Sequence, residues 1–429
     1  MQKIRKKNRQ GLALVAVLWI VMILILIAAV MSRSTRLDSR STIAAAEEVR
    51  CRWACRAGVE KGIALLVEDQ REGDGKTDRW CENETDCNNI ALEGCEFTIE
   101  ITDEASRLNV NTAAEKQLEE IPYMTREITQ AILDWRDKDD QPQASGAESG
   151  YYLGLRHGYS IRNGPLKTVR ELLLVKGVSQ EQFYGEEGSR YRNAARRGIQ
   201  TAGFQGAAKN TSQEVLEKGW IEYLTCYSYE INKDALGNNR ININKADENK
   251  LVNELGISKG QAKWIVENRK NNYKSIADLI NENSNKNPSK DTKSDEAQAM
   301  DLETFGKIAD RITITDDNRR TGMVNVNTAS KEVLTALLDG DEATADSIIA
   351  YRDGLEAPMS SIANLLKSKE MKIETFKKIA DYVCTRANVF RIRCRALSTA
   401  TGAVSRIEAV VDRSVQPCSV LYWHEGVPQ

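Results

Sequence analysis

Histidine is nearly absent from this 429-residue chain, which has only His157 and His424. Neither sits in a metal-ligand or nucleophile pattern, so each reads as a surface or turn residue and an enzyme reading finds little to rest on. Charge of one sign is also missing. Lys and Arg number 60 against 62 Asp and Glu, a formal net charge of −2, so nothing here is built to neutralise phosphates in bulk. A phosphate loop is missing too: Gly73-Asp74-Gly75-Lys76-Thr77 contains Gly-Lys-Thr, but Gln70 stands where the first glycine belongs, and the segment reads as a polar turn. Between Gly11 and Gly58 there is neither Pro nor Gly, and between Leu12 and Met31 there is no charge.

Those last two absences define the N-terminal end. Lys3, Arg5, Lys6, Lys7 and Arg9 precede an apolar run that, at about 1.5 Å per residue, spans roughly 30 Å, the thickness of a bilayer core. The positive flank predicts a cytoplasmic N-terminus and export of everything after Arg33. A secretory signal peptide is the alternative, but its apolar region is shorter and ends at a cleavage site. Here Ile43, Ala46, Val49, Trp53, Ala57 and Leu65 continue one helical face, predicting a single rod of transmembrane and stem helix.

A short basic leader ending in Gly, followed at once by an apolar helix that extends as an amphipathic stem, resembles the type IV pilins and type II secretion pseudopilins. The resemblance implies cleavage by a prepilin peptidase between Gly11 and Leu12. Most members carry Glu at the fifth mature position, and this chain has Ala16. That departure favours the minor pseudopilin K (GspK) subfamily, whose members lack the Glu. A carboxylate inside an apolar helix is costly unless a neighbour's amine pairs with it, and a subunit with no neighbour ahead of it needs none.

The exported part contains a threefold repeat. Leu108-Asn109-Val110-Asn111-Thr112-Ala113, Ile241-Asn242-Ile243-Asn244-Lys245-Ala246 and Val324-Asn325-Val326-Asn327-Thr328-Ala329 are each followed, at identical spacing, by Leu118, Leu251 or Leu334, then Ile132, Ile265 or Ile348, then Arg136, Arg269 or Arg352. Each copy reads as a short strand, two helices and, after a variable gap, a third helix beginning at Thr168, Ser275 or Ser361, with Phe183, Phe305 or Phe376 downstream. Thr112 and Glu115 fit a capping box. Alternating runs at 97–101, 226–231 and 311–315 are expected to pair with the Asn-rich strand that follows each of them.

The repeat resembles the helix-hairpin-helix (SAM-like) family, which raises DNA binding as the rival function. DNA-binding members carry two hairpin glycines that let backbone N–H groups approach a phosphate. The hairpins here read Ile121-Pro122-Tyr123-Met124, Leu255-Gly256-Ile257-Ser258 and Leu338-Asp339-Gly340-Asp341, and none has that pair. No nucleic acid partner is expected.

From the Arg to the Leu of the third helix is 10 residues in the second copy (Arg269 to Leu279), 13 in the third (Arg352 to Leu365) and 36 in the first (Arg136 to Leu172). The insertion carries Asp137, Asp139, Asp140 and Glu148 around a Pro- and Gly-bearing loop, with Asp134 just before it. Carboxylates and loop carbonyls are what a hard divalent cation takes as ligands, although a solvated acidic loop has the same composition. The stretch from Asp134 through Tyr152, and on through Gly164-Pro165-Leu166 to Val175-Lys176-Gly177-Val178, resembles the GspK helical domain. That resemblance implies bound calcium, with Asp137, Asp139, Asp140 and Glu148 as ligands and carbonyls near Gly146 contributing.

Strands at 388–396, 402–412 and 420–426 look like the terminal sheet of the same family. Nine cysteines are an odd count. Cys81, Cys87 and Cys95 cluster where disulfides can form, and Cys51 and Cys55, one helical turn apart, suit a buried or inter-subunit role better than zinc.

The expected fold is therefore α+β, with a long N-terminal transmembrane and stem helix, a pseudopilin-type antiparallel sheet, and a large helical insertion built from helix-hairpin-helix modules. The expected boundaries are a leader at 1–11, the helix at 12–69, the α/β domain at 70–107 with 384–429, and modules at 108–200, 201–311 and 312–383. The resemblance implies a non-enzymatic minor pseudopilin at the tip of a type II secretion pseudopilus, anchored in the bacterial inner membrane with its bulk in the periplasm. Its implied partners are minor pseudopilins I and J and the prepilin peptidase. The alternative is a membrane-anchored helix-hairpin-helix protein of DNA uptake.

Overall fold

The computed structural model describes residues 10–69, 72–81, 83–185, 218–269, 272–280 and 297–426. The lysine- and asparagine-rich stretch at 281–294, which reads from its composition as a loop, lies outside them, as do most of the leader and the start of the middle segment drawn from residue 201.

One α-helix runs from Gln10 to Glu68. Its 59 residues at about 1.5 Å each give a rod of roughly 90 Å. Large apolar side chains from Leu14 to Met31 are exposed all round, and among the described residues this is the one helix long and apolar enough to cross a membrane. The C-terminal half is one-sided. Cys51, Ala54, Cys55, Val59, Leu65 and Leu66 are buried, whereas Trp53 stays exposed with the Arg56 guanidinium over its ring. Small residues set the closeness of the dock: a Cβ on Gly58 would stand 2.4 Å from Cys394 Sγ and 3.1 Å from the Phe97 ring.

The surface beneath the helix is a five-stranded antiparallel sheet in the order Ile90–Leu92, Cys95–Asp103, Val389–Ser398, Val404–Asp412, Ser419–Glu425. The three C-terminal strands fall where the alternation predicts them. Inward residues Phe97, Ile99, Ile101, Ile392, Cys394, Ile407 and Ala409 form the core shared with the helix, as period two demands.

The pairing inside the repeats differs from expectation. Each two-residue Asn-rich strand pairs in parallel with the strand that closes its own module, not with the run before it: Leu108–Asn109 with Leu224–Thr225, Ile241–Asn242 with Ile312–Thr313, Val324–Asn325 with Val383–Cys384. The run at 97–101 joins the main sheet, and Tyr229–Ile231 pairs with Arg319–Thr321. A parallel pair needs a crossover between its strands, and each helical module supplies it. The first module thus extends to Thr225. Trp220 is completely buried and donates its indole N–H to the Pro122 carbonyl at 2.8 Å.

Why Asn and Arg recur is now physical. The first Asn of each motif accepts the N–H of the second through its side chain, at 3.0 Å, 2.9 Å and 3.0 Å for Asn109, Asn242 and Asn325. The second Asn then takes both backbone groups of one distant residue. Asn111 clasps Leu166, Asn244 clasps Tyr273, and Asn327 clasps Met359. The Arg at the end of the second helix caps carbonyls of the motif: Arg136 donates to Val110 and Ala113, Arg269 to Ala246, Arg352 to Val326 and Ala329. Buried backbone groups must find partners, and the repeat is a device for supplying them. The capping box differs from expectation, because the first helix starts two residues later, with Ala114 as its N-cap. Gln117 Oε1 accepts the Ala114 N–H at 3.0 Å, while Glu115 accepts from Gln130.

Phe183, Phe305 and Phe376 are completely buried, and Phe305 meets Phe376 edge-on at 6.0 Å, joining the second and third modules. Buried ion pairs fasten the modules to the sheet domain: Glu230 with Arg240, Arg320 and Arg386, and Glu104 with Arg107 and Arg391.

Candidate metal centre

Helix Arg126–Arg136 brings Asp134 to its last turn, completely buried, and leaves Asp137 as the C-cap residue. The insertion wraps around Asp134, whose carboxylate accepts the N–H of Gln143 at 3.2 Å and of Ala147 at 2.7 Å. Gly146 allows the wrap, since a Cβ there would lie 1.8 Å from Asp134 Oδ2. Glu148 follows at the N-cap of the short helix Ser149–Leu153 and makes no side-chain cap bond.

Asp134, Asp137 and Glu148 therefore converge, with one carboxylate oxygen of each within 4.8 Å of the others. Two oxygens that each lie about 2.4 Å from one ion are at most about 4.8 Å apart, so this spacing admits a single hard cation. The local balance is unusual for a protein interior. Both Glu148 oxygens and Asp137 Oδ1 are buried with no hydrogen-bond partner. Burial, reinforced by Asp134, Asp137, Asp140 and Asp139, pushes Glu148 up to about 7. Burial likewise raises Asp134 and Asp137. Three carboxylates and too few donors are poorly compensated without a cation.

The structure draws the expected set together only in part. Asp137 and Glu148 are in the cluster. Asp139 and Asp140 are not: Asp139 accepts the Gln141 N–H at 2.9 Å, and Asp140 accepts the Ser149 N–H at 3.1 Å and its hydroxyl, which lowers its pKa. The Gly146 carbonyl is taken as well, accepting Lys176 Nζ at 3.0 Å. Asp134 completes the cluster from three residues before Asp137, a helical spacing that puts both on one face. Asn163 is fastened to the same loop. Its amide N–H donates to the Asp139 carbonyl at 2.9 Å, and its Oδ1 is buried without a partner. Nothing local in the sequence pairs residue 163 with residue 139. Beneath the loop Trp135, Tyr152 and Tyr159 pack together, with Trp135 and Tyr152 at 5.1 Å and Tyr152 and Tyr159 at 5.6 Å.

A second acidic group, Asp69, Asp74 and Asp78, is arranged differently. The Arg413 guanidinium spans Asp69 and Asp74, and backbone N–H groups of Ala387 and Gly75 serve Asp74 and Asp78. Its charge is largely met from within the chain.

The hairpins are engaged by the protein itself. Glu120 lies against Gly340, where a Cβ would meet its carboxylate at 3.1 Å, and Lys116 pairs with Asp339 at 3.4 Å. Trp220 covers the first hairpin and Arg311 donates to the Glu254 carbonyl at the second. A DNA-contacting helix-hairpin-helix keeps its hairpin backbone free for phosphate, so the DNA-binding alternative is not favoured.

A membrane-length stem helix docked on an antiparallel sheet, with helix-hairpin-helix modules inserted before the sheet closes, defines a pseudopilin-like α+β protein. Comparison with known proteins sharpens that class. Residues 104–184, which contain the acidic insertion, match the family described as type II secretion system protein K, and residues 320–384 match the helix-hairpin-helix motif. The chain is 26% identical over 198 residues to type II secretion system protein K of Klebsiella pneumoniae, covering 40% of this chain and 59% of that protein. It is 26% identical over 206 residues to the protein of the same name from Aeromonas hydrophila, covering 41% and 61%. The chain thus spans about 60% of the length of the curated relatives it matches. Among solved structures it is similar to a chain of the GspK-GspI-GspJ complex of enterotoxigenic Escherichia coli, at 12% identity and TM-score 0.48, covering 90% of this chain and 99% of that one. The resemblance to protein K is upheld, and its family match falls on the segment that carries the carboxylate cluster.

Proposed function

We propose that the chain is a non-catalytic assembly subunit, a K-type minor pseudopilin at the tip of a type II secretion pseudopilus that supports protein secretion across the outer membrane. The observation that carries this reading is the match to protein K over residues 104–184, on a chain whose stem helix is docked to its sheet and whose apolar half is unpartnered. In this reading the apolar half is held in the inner membrane with its N-terminus cytoplasmic, prepilin peptidase cleaves between Gly11 and Leu12, and the modules stand in the periplasm. Ala16 lies in the apolar segment where other pilins place a carboxylate, which suits a subunit that docks beneath nothing. The stem packs with those of minor pseudopilins I and J.

The acidic insertion binds calcium in the same reading, through Asp134, Asp137 and Glu148 with Asn163 as a further oxygen donor, while Asp139 and Asp140 add negative charge nearby. The orphaned oxygens support this, and the ion's role is to hold an insertion that its own hydrogen bonds leave uncompensated. Mass spectrometry of the mature N-terminus, in cells expressing a prepilin peptidase, tests the assignment. A chain starting at Leu12 that copurifies with I- and J-type pseudopilins is expected, and an intact Met1 or a start near Ser32 refutes it.

A further inference from the structure

The stem helix meets the sheet through four buried thiols. Cys51 and Cys55 are successive turns of the helix on its buried face, and Cys95 and Cys394 lie on adjacent strands of the sheet. Cys51 Sγ stands 3.5 Å from Cys95 Sγ. Cys55 Sγ lies 3.5 Å from the Cys394 carbonyl, and the Cys394 sulfur is turned to the same helix face, 2.4 Å from where a Cβ on Gly58 would stand. All four are at most 2% exposed. Two thiols across one interface, matched to two thiols opposite, are more than packing requires, because a buried cysteine on its own packs as a small hydrophobe. Gly58 lets the Cys394 sulfur sit against the helix at a distance no Cβ would permit.

We infer that Cys51–Cys95 and Cys55–Cys394 are two disulfide bonds that staple the stem helix to the sheet. The 3.5 Å contact between the Cys51 and Cys95 sulfurs closes to a bond of about 2.05 Å by a modest rotation about χ1, and the Cys394 sulfur already lies on the helix face that carries Cys55. Each bond forms by thiol–disulfide exchange with a disulfide-bearing oxidant of the exported compartment. One thiolate attacks the donor disulfide, giving a mixed disulfide and one donor thiolate. The second cysteine thiolate then attacks the bound protein sulfur and releases the other donor thiolate. The two protein thiols lose two electrons and two protons, and the donor disulfide is reduced to its dithiol. Closure accompanies folding, before the interface shuts out the oxidant.

The consequence is mechanical. A filament subunit is pulled through its stem, and the load reaches the modules through this one helix–sheet interface. Without covalent links it is held by packing along Cys51–Leu66 and a few polar contacts, such as Arg56 with Glu425 and Lys61 with Asp86. With them, the stem cannot peel away while the sheet is intact.

The inference rests on export of the domain, and the test separates the two. Full-length chain is acid-quenched in cells, alkylated with N-ethylmaleimide and mapped by mass spectrometry without reduction, alongside protease accessibility of the modules in spheroplasts. Linked peptides Cys51–Cys95 and Cys55–Cys394 are expected, and the Cys51→Ser variant should lose the first while keeping the second. Accessible modules with all four cysteines alkylated, or a Cys51–Cys55 bridge, overturn the inference. If the modules prove inaccessible, the export reading fails. The staples are then judged on purified full chain reduced, partly unfolded and reoxidised with oxidised glutathione, where the same two pairs support the inference and any other outcome overturns it. In the oxidised protein a reductant should lower the melting temperature, and it should have no such effect on the variant lacking all four cysteines.

Discussion

The first and third modules share one frame and differ in one loop. In the third, Asn327 and Arg352 satisfy the buried carbonyls of Val326, Ala329 and Met359 and the N–H of Met359 within 13 residues of gap. The first repeats this with Asn111 and Arg136, then adds an insertion in which Asp137 Oδ1 and both Glu148 oxygens end without donors. The frame is thus complete in itself, whereas the insertion is folded around charge that it does not neutralise. What the difference teaches is where an external ion can matter, and it is confined to one module.

Breaking the frame should cost most. Asn327→Ala leaves a buried N–H and C=O of Met359 without partners and should destabilise the third module by about 2–4 kcal/mol, read from urea unfolding. Asn111→Ala should cost a similar or slightly smaller amount, because Asn111 is only half-buried. A neutral result at either position would remove the frame from the comparison.

Calcium comes next. At a hundredfold excess over its dissociation constant it should stabilise the protein by about 2.7 kcal/mol. The double variant Asp137→Asn, Glu148→Gln should lose that gain in a thermal melt, yet match or exceed the parent in chelator, since it has shed the repulsion. An equal deficit with and without calcium would make the carboxylates ordinary structural residues.

The pH response of the calcium-free protein sharpens the same point more gently. Folded Glu148 titrates at about 7 against an ordinary value of 4.5, so between these the folded state holds a proton that the unfolded state has released. Its contribution therefore falls as pH rises from about 4.5 to about 7. The stability of the parent minus that of Glu148→Gln, measured in chelator, should show this decline, and saturating calcium should remove it. Burial also raises Asp74 and Asp103, so the difference between the two proteins carries the result and the raw slope does not.

The smallest effects belong to Asp139→Asn and Asp140→Asn. Both side chains are exposed and bonded within the loop, so each change should stay within about 1 kcal/mol and weaken calcium binding only modestly, by titration calorimetry. A loss of calcium binding as large as that of Glu148→Gln would move them into the site.

Much of the candidate centre was legible because its residues are neighbours in the chain: a 36-residue gap holding Asp137 and Glu148 stood out against gaps of 10 and 13. Asp134 reads as part of the helix until the loop is seen to fold back over it. Asn163 is invisible, since it reaches the loop only through the Asp139 carbonyl.

The sequence by itself determined the long helix, the threefold repeat, the alternating strands at the C-terminus and the acidic segment, because each is written in short-range periodicity or composition. Only the tertiary structure decided that the Asn-rich strands pair in parallel with strands 59 to 116 residues further on, which thiols face each other across the stem and which carboxylates converge. A strand of two residues is too short to carry a pattern of its own, and its partner is chosen by how the helices between them pack.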